Sequence, residues 1–91
     1  MAVARFVQTD ITSAQYDQMR EHLGIGDAPP AGGVLHVAAV GENGKIRIVE
    51  VWDSLEEAKA WGDKVAAARE QAGFADPPAI EHLEVHNVIQ R

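Results

Sequence analysis

Cysteine is absent from this chain of 91 residues, which removes disulfides, thiolate metal sites and cysteine nucleophiles together. Basic charge is scarce: 8 Lys and Arg stand against 14 Asp and Glu, for a net charge of −6. No Lys/Arg cluster offers itself to nucleic acid or to an anionic membrane. No apolar run reaches transmembrane length, and the N-terminus enters an alternating segment around Arg5 instead of a signal-peptide core. Low-complexity stretches are missing as well. With apolar residues at 46%, the expectation is a globular cytoplasmic protein, residues 1–91 forming one domain around one core, with neither nucleic acid nor membrane as partner.

Six elements can be read along the chain. Val3 to Gln8 alternates as a short strand. Thr12-Ser13-Ala14-Gln15 is a capping box behind the hydrophobic staple residue Ile11. Tyr16, Met19 and Leu23 then form a helical stripe that Gly24 ends. Ile25 to Gly33, rich in Pro and Gly, is a loop. Val34 to Val40 and Lys45 to Trp52 make a hairpin through Glu42-Asn43-Gly44. A second capping box at Ser54-Leu55-Glu56-Glu57 opens a helix with apolar positions at Leu55, Ala58, Trp61, Val65, Ala68 and Ala72, closed by Gly73. Ile80 to Ile89 is the last strand. The order β-α-β-β-α-β predicts an α+β, ferredoxin-like fold: a four-stranded antiparallel sheet with two helices on one face.

Glu50 stands out in this scheme, because a lone carboxylate on a core-facing strand costs several kcal/mol, roughly, until it finds a partner. A three-residue loop with Gly44 in the left-handed conformation would pair Gly41 with Lys45 and therefore His36 with Glu50. That register sorts the residues into two sets. Leu35, Val37, Ala39, Val49 and Val51, with Ala4, Phe6, Leu83 and Val85, form an aliphatic set expected to lie beneath the helices. Val34, His36, Ala38, Val40, Ile46, Ile48, Glu50 and Trp52, with Val3, Arg5, Val7, His82, Glu84, His86 and Val88, form the opposite set. A second sheet packed over that mixed face would enclose a small-molecule cavity.

The strand-to-helix segment Val49-Glu50-Val51-Trp52-Asp53-Ser54-Leu55-Glu56-Glu57-Ala58 resembles a motif of the dimeric α/β-barrel superfamily, in particular its antibiotic-biosynthesis-monooxygenase-like members. Pro29 to His36 and Val85-His86-Asn87 are similar to actinobacterial members. The resemblance implies a homodimer, two sheets face to face, with a small-molecule ligand in the barrel lumen. It also implies a range of chemistries, including cofactor-independent monooxygenation of aromatic or polyketide-type substrates and haem degradation. Trp61 sits where the haem-degrading type carries a Trp. Gln71 stands in place of its His, however, and Val3 to Gln8 has no Asn, so haem degradation is not expected.

Within that frame His36 is the candidate base, since imidazole changes charge near neutral pH, and Glu50 orients it. Arg5, Trp52 and His86 are candidate substrate-binding residues on the lumen face. The helix residues Tyr16 and Trp61 are read as core. His82 and His86 suggest a metal site, but four residues along a strand place them roughly 13 Å apart, too far for one ion. No metal and no cofactor is therefore expected. RNA-binding sheets need exposed aromatics and basic charge, and the central strands offer neither. The alternative to an enzyme is a non-catalytic ligand-binding or accessory dimer of the same fold.

Overall fold

The computed structural model describes residues 1–74 and 76–90. Six elements follow in the order β1 (Val3–Gln8), α1 (Ser13–Leu23), β2 (Gly33–Val40), β3 (Ile46–Trp52), α2 (Leu55–Gln71) and β4 (Ala79–Glu84). The strands form one sheet in the order β2-β3-β1-β4, every neighbouring pair antiparallel. This is the ferredoxin-like arrangement that the sequence predicts.

Local chemistry sets the helix ends. Thr12 accepts from the Gln15 backbone at 3.3 Å while the Gln15 side chain accepts from the Thr12 backbone at 2.8 Å, so two otherwise orphaned amides are satisfied. At Ser54 only half of the expected reciprocity is found. Its hydroxyl accepts from the Glu57 amide at 3.2 Å and lies 3.1 Å from the Glu57 carboxylate, which is thereby drawn to the hydroxyl. Both helices close by the same device: the residue after a left-handed glycine, Gly24 or Gly73, donates to a carbonyl five residues back, Ile25 to Arg20 and Phe74 to Arg69.

The hairpin turns as the three-residue loop requires. Gly41 donates to Lys45 at 2.8 Å, and Gly44 adopts φ +79°, a conformation that costs glycine nothing. His36 consequently pairs with Glu50, and across the next ladder Arg5 pairs with both Glu50 and His82. One irregularity between Gly33 and Leu35 takes Val34 out of the register, so its expected place beside His36 is not realised.

The sorting into two faces holds, but the helices cover the opposite face from the one expected. Trp61, Ala58 and Val65 of α2 and Leu23 of α1 pack on Val3 and Trp52, the face that also carries Arg5, His36 and Glu50. The aliphatic set is the uncovered one: Leu35, Phe6, Val37 and Leu83 are 36%, 39%, 46% and 48% exposed. The expectation rested on keeping ionisable groups out of the helix-packed layer. It fails because Glu50 and Arg5 neutralise each other in that layer, as described below, which removes most of the penalty for burying either.

The last strand is also shorter than expected. β1 begins at Val3, opposite Glu84, and the Val85 amide bonds the Ala2 carbonyl at 3.0 Å. The ladder is used up there, so His86, Asn87 and Val88 lie beyond β4.

Candidate functional site

Glu50 is 1% exposed, at the centre of the helix-covered face. Its position on β3 puts β1 on one side and β2 on the other, and each neighbour supplies a hydrogen-bond partner. Arg5 Nη1 lies 2.8 Å from Oε1, and His36 Nδ1 lies 2.9 Å from Oε2. From two residues along its own strand, Trp52 Nε1 donates to Oε1 at 3.1 Å. Burial by itself raises the pKa of Glu50. The hydrogen bonds from His36 and Trp52, and the Arg5 guanidinium, outweigh it and hold the carboxyl below its ordinary value. The group is an anion held by three donors.

The chain of contacts continues beyond His36. Tyr16 Oη, on the first turn of α1, stands 2.6 Å from His36 Nε2. The two ring planes differ by 13° with centroids 6.0 Å apart, so the rings meet at their edges through that hydrogen bond. Burial pushes the Tyr16 phenol above its usual pKa, an effect the nearby Arg20 partly offsets. Arg5, Glu50, His36 and Tyr16 thus form one continuous line from β1 across β3 and β2 to α1.

This line borders a cavity between the helices and the sheet. Val7 and Ile48 of the sheet, Met19 and Leu23 of α1, and Trp61 and Val65 of α2 make its apolar walls, while Arg5, Tyr16, His36 and Glu50 supply polar ones. The interior free space is about 60 Å³, room for a few waters or one compact group before the walls move. Tyr16 and His36 also face a second recess, under the loop of Ile25 to Pro30. They therefore stand as a partition between the buried cavity and that outer recess. Arg20 lines both spaces, and its Nη2 donates to the Gly26 carbonyl at 3.0 Å.

The candidate residues fall out unevenly. His36, Glu50 and Arg5 come together at the cavity. Trp52 is buried against Val3, Ala58 and Trp61 and reaches the site only through its bond to Glu50. His86 is exposed and past the last strand, so its expected place on a ligand cavity is corrected. The enclosed space of the single chain lies between its sheet and helices, because the helices cover the mixed face. Tyr16 and Trp61, read as core from the sequence, both border the cavity. Their helical spacing marked them as facing the sheet; only the choice of face hid what they would meet there. Among the described residues no group of three or more His, Asp or Glu side chains is placed to hold a metal ion, and no helix is long and apolar enough to cross a membrane.

No protein-family model matches the chain, and no curated protein sequence matches it. Solved structures do. A candidate antibiotic biosynthesis monooxygenase from Deinococcus radiodurans superimposes with a TM-score of 0.66 at 17% identity, covering 100% of this chain and 98% of that one. A second, from Chloroflexus aurantiacus J-10-fl, gives 0.59 at 27% identity, covering 100% and 97%. A variant of MhuD, bound to two manganese protoporphyrin IX molecules per active site, gives 0.56 at 17% identity and full coverage of both chains. The chain has the ferredoxin-like fold of antibiotic biosynthesis monooxygenase domain proteins.

Proposed function

We propose that the chain is a small-molecule enzyme of the monooxygenase type, acting on an electron-rich aromatic or polyketide-type phenol in the cavity between its helices and sheet. The observation that carries this reading is the line Arg5, Glu50, His36, Tyr16 on the wall of a mostly apolar cavity. The fold shared with proteins named for monooxygenation supports it. The Glu50 carboxylate accepts the Nδ1 proton of His36, which leaves the Nε2 lone pair as the base, in contact with the Tyr16 hydroxyl at the cavity wall. Arg5 and Trp52 act through Glu50, fixing its orientation and charge. The apolar walls hold the carbon skeleton and keep bulk water from the deprotonated phenol. A phenolate so produced reacts with dioxygen directly: one oxygen atom enters the ring, the other leaves as water, and the phenol becomes a quinone. No flavin or metal is needed for that balance.

Haem fits this cavity poorly. The imidazole at the cavity, His36, has both nitrogens engaged, by Glu50 and by Tyr16, so neither is free to ligate a haem iron.

The same reading makes the protein a cytoplasmic homodimer, consistent with its lack of cysteine. The second copy would cover the aliphatic face of the sheet, where Phe6, Leu35, Val37 and Leu83 are exposed on strands of a chain this small. A non-catalytic binding or accessory dimer is the second reading. The observation in its favour is that both carboxylate oxygens of Glu50 and both ring nitrogens of His36 are already engaged by neighbouring side chains.

Oxygen uptake with a panel of phenols and quinols, measured on the pure protein, separates the two. Turnover that falls about a hundredfold or more in Glu50→Gln and His36→Ala is expected. Binding without oxygen uptake favours the accessory reading, and unchanged turnover in both variants removes these residues from the mechanism.

A further inference from the structure

Both nitrogens of His36 are occupied, and this decides which atom a ligand can touch. Nδ1 faces the Glu50 carboxylate at 2.9 Å and Nε2 faces Tyr16 Oη at 2.6 Å. An ionised carboxylate can only accept, so Nδ1 carries a proton and donates to it. The 2.6 Å separation between Oη and Nε2 is the short spacing of a hydroxyl donating to a ring-nitrogen lone pair, whereas an N–H donor to a neutral hydroxyl sits at about 2.9 Å. Nε2 is then an acceptor, and the Tyr16 hydroxyl donates to it. A phenol hydroxyl has one proton and two lone pairs. Once its proton is committed to Nε2, Oη can offer only lone pairs to the cavity.

We propose that Tyr16 Oη, a hydrogen-bond acceptor by virtue of its bond to His36, is the atom that receives the substrate, and that the site selects ligands presenting a hydroxyl or amine proton there over ethers and carbonyls. The proposal rests on the reading of the cavity as a phenol site and names its contact atom. Tyr16 is the catalytic residue under this assignment. His36 receives the relayed proton, and Glu50 and Arg5 act through it as positioning residues. The proton step balances: the substrate O–H proton passes to Tyr16 Oη as the Tyr16 proton passes to Nε2, giving a substrate phenolate, an unchanged tyrosine and an imidazolium that Glu50 stabilises. The raised pKa of Tyr16 agrees, since a phenol that keeps its proton at neutral pH can relay one without becoming a free phenolate itself. Removing the Tyr16 hydroxyl leaves no acceptor aimed at the cavity from this wall except Nε2, which lies one hydroxyl farther back.

Two measurements that do not depend on turnover test this. The first is the ring-nitrogen NMR spectrum of His36 in the full chain at neutral pH: Nδ1 protonated and Nε2 bare is expected, and a proton on Nε2, in the reverse tautomer or in an imidazolium, overturns the proposal. The second is binding of 4-fluorophenol and 4-fluoroanisole, followed by fluorine NMR, to the native protein and to Tyr16→Phe, with thermal unfolding confirming that the variant folds. The native protein should prefer the phenol by about tenfold, the scale of one hydrogen bond, and Tyr16→Phe should lose that preference while keeping its affinity for the anisole. Equal binding of the two ligands by the native protein, or an unchanged preference in Tyr16→Phe, overturns it. Failure of the parent reading looks different: a tenfold preference that vanishes in Tyr16→Phe, together with no oxygen uptake on any phenol, keeps Tyr16 as the contact and removes the enzyme. Oxygen uptake that Tyr16→Phe leaves intact does the opposite.

Discussion

On the face of the sheet beneath the helices Glu50 and Arg5 are 1% and 3% exposed, whereas on the opposite face Val37 and Leu83 are 46% and 48% exposed. Charge is inside and aliphatic surface is outside, the reverse of what residue type alone suggests. The difference shows that a strand position can hold a buried carboxylate when the two neighbouring strands each bring a donor into register. Arg5 and His36 do so at 2.8 and 2.9 Å. The aliphatic face has no such internal solution within one chain, since exposed methyl groups are relieved only by another apolar surface.

The largest effect should come from breaking the covered side. Glu50→Leu strands the Arg5 guanidinium in a buried site and should cost about 3–5 kcal/mol in urea unfolding. Adding Arg5→Met to that variant should recover much of the loss, because the uncompensated charge goes with it. A double variant no better than the single one would mean that the pair is not what holds this face together. The acid limb of stability reads the same carboxylate. Its pKa is lowered on folding, so the stabilisation is complete above the ordinary carboxylate value of 4.5 and is lost as pH falls through the lower folded value. Glu50→Gln should flatten that limb, which unfolding measured between pH 2 and 6 would reveal.

The open side should respond through association instead. Val37→Lys is expected to weaken a dimer about a hundredfold, as a charge placed at a buried apolar contact does, while the fold of the chain itself changes by less than about 0.5 kcal/mol. Sedimentation equilibrium and circular dichroism measure the two separately. A native protein that sediments as a monomer at every concentration would end the parallel between the faces, leaving the aliphatic one without its second copy.

Smaller effects sharpen the contrast. Trp52→Phe keeps an aromatic ring against Trp61, whose centroid is 5.8 Å away, but removes the Nε1 donor to Glu50. About 1–2 kcal/mol should be lost, with the acid limb moving toward higher pH as the carboxyl loses a stabilising bond. Thr12→Ala, at an exposed cap remote from both faces, should cost about 1 kcal/mol and leave both the acid limb and association where they were.

The local grammar was legible residue by residue. Thr12 and Gln15 announced the start of α1, Gly24 and Gly73 the two helix ends, and Glu42-Asn43-Gly44 a loop whose length set the parity of the hairpin and brought His36 opposite Glu50. Those features act over a few residues, so the sequence by itself determined the elements, their order and which side chains share a face. It could not determine which face the helices would choose. A carboxylate reads as a reason for exposure when it stands alone, and its cost vanishes only when Arg5, 45 residues away in the chain, arrives at 2.8 Å. Tyr16 was hidden for the same reason: its spacing with Met19 and Leu23 said that it faces the sheet, and only the packing of α1 over β2 said that it faces His36. The extent of β4 was likewise a tertiary decision, because an edge strand continues only as far as its neighbour can answer, and the ladder stops beside Ala2. What composition and spacing encode is local and periodic. Pairing of charges across strands, and the side on which two helices settle, are decided by desolvation and hydrogen bonding between segments that meet only in the folded chain.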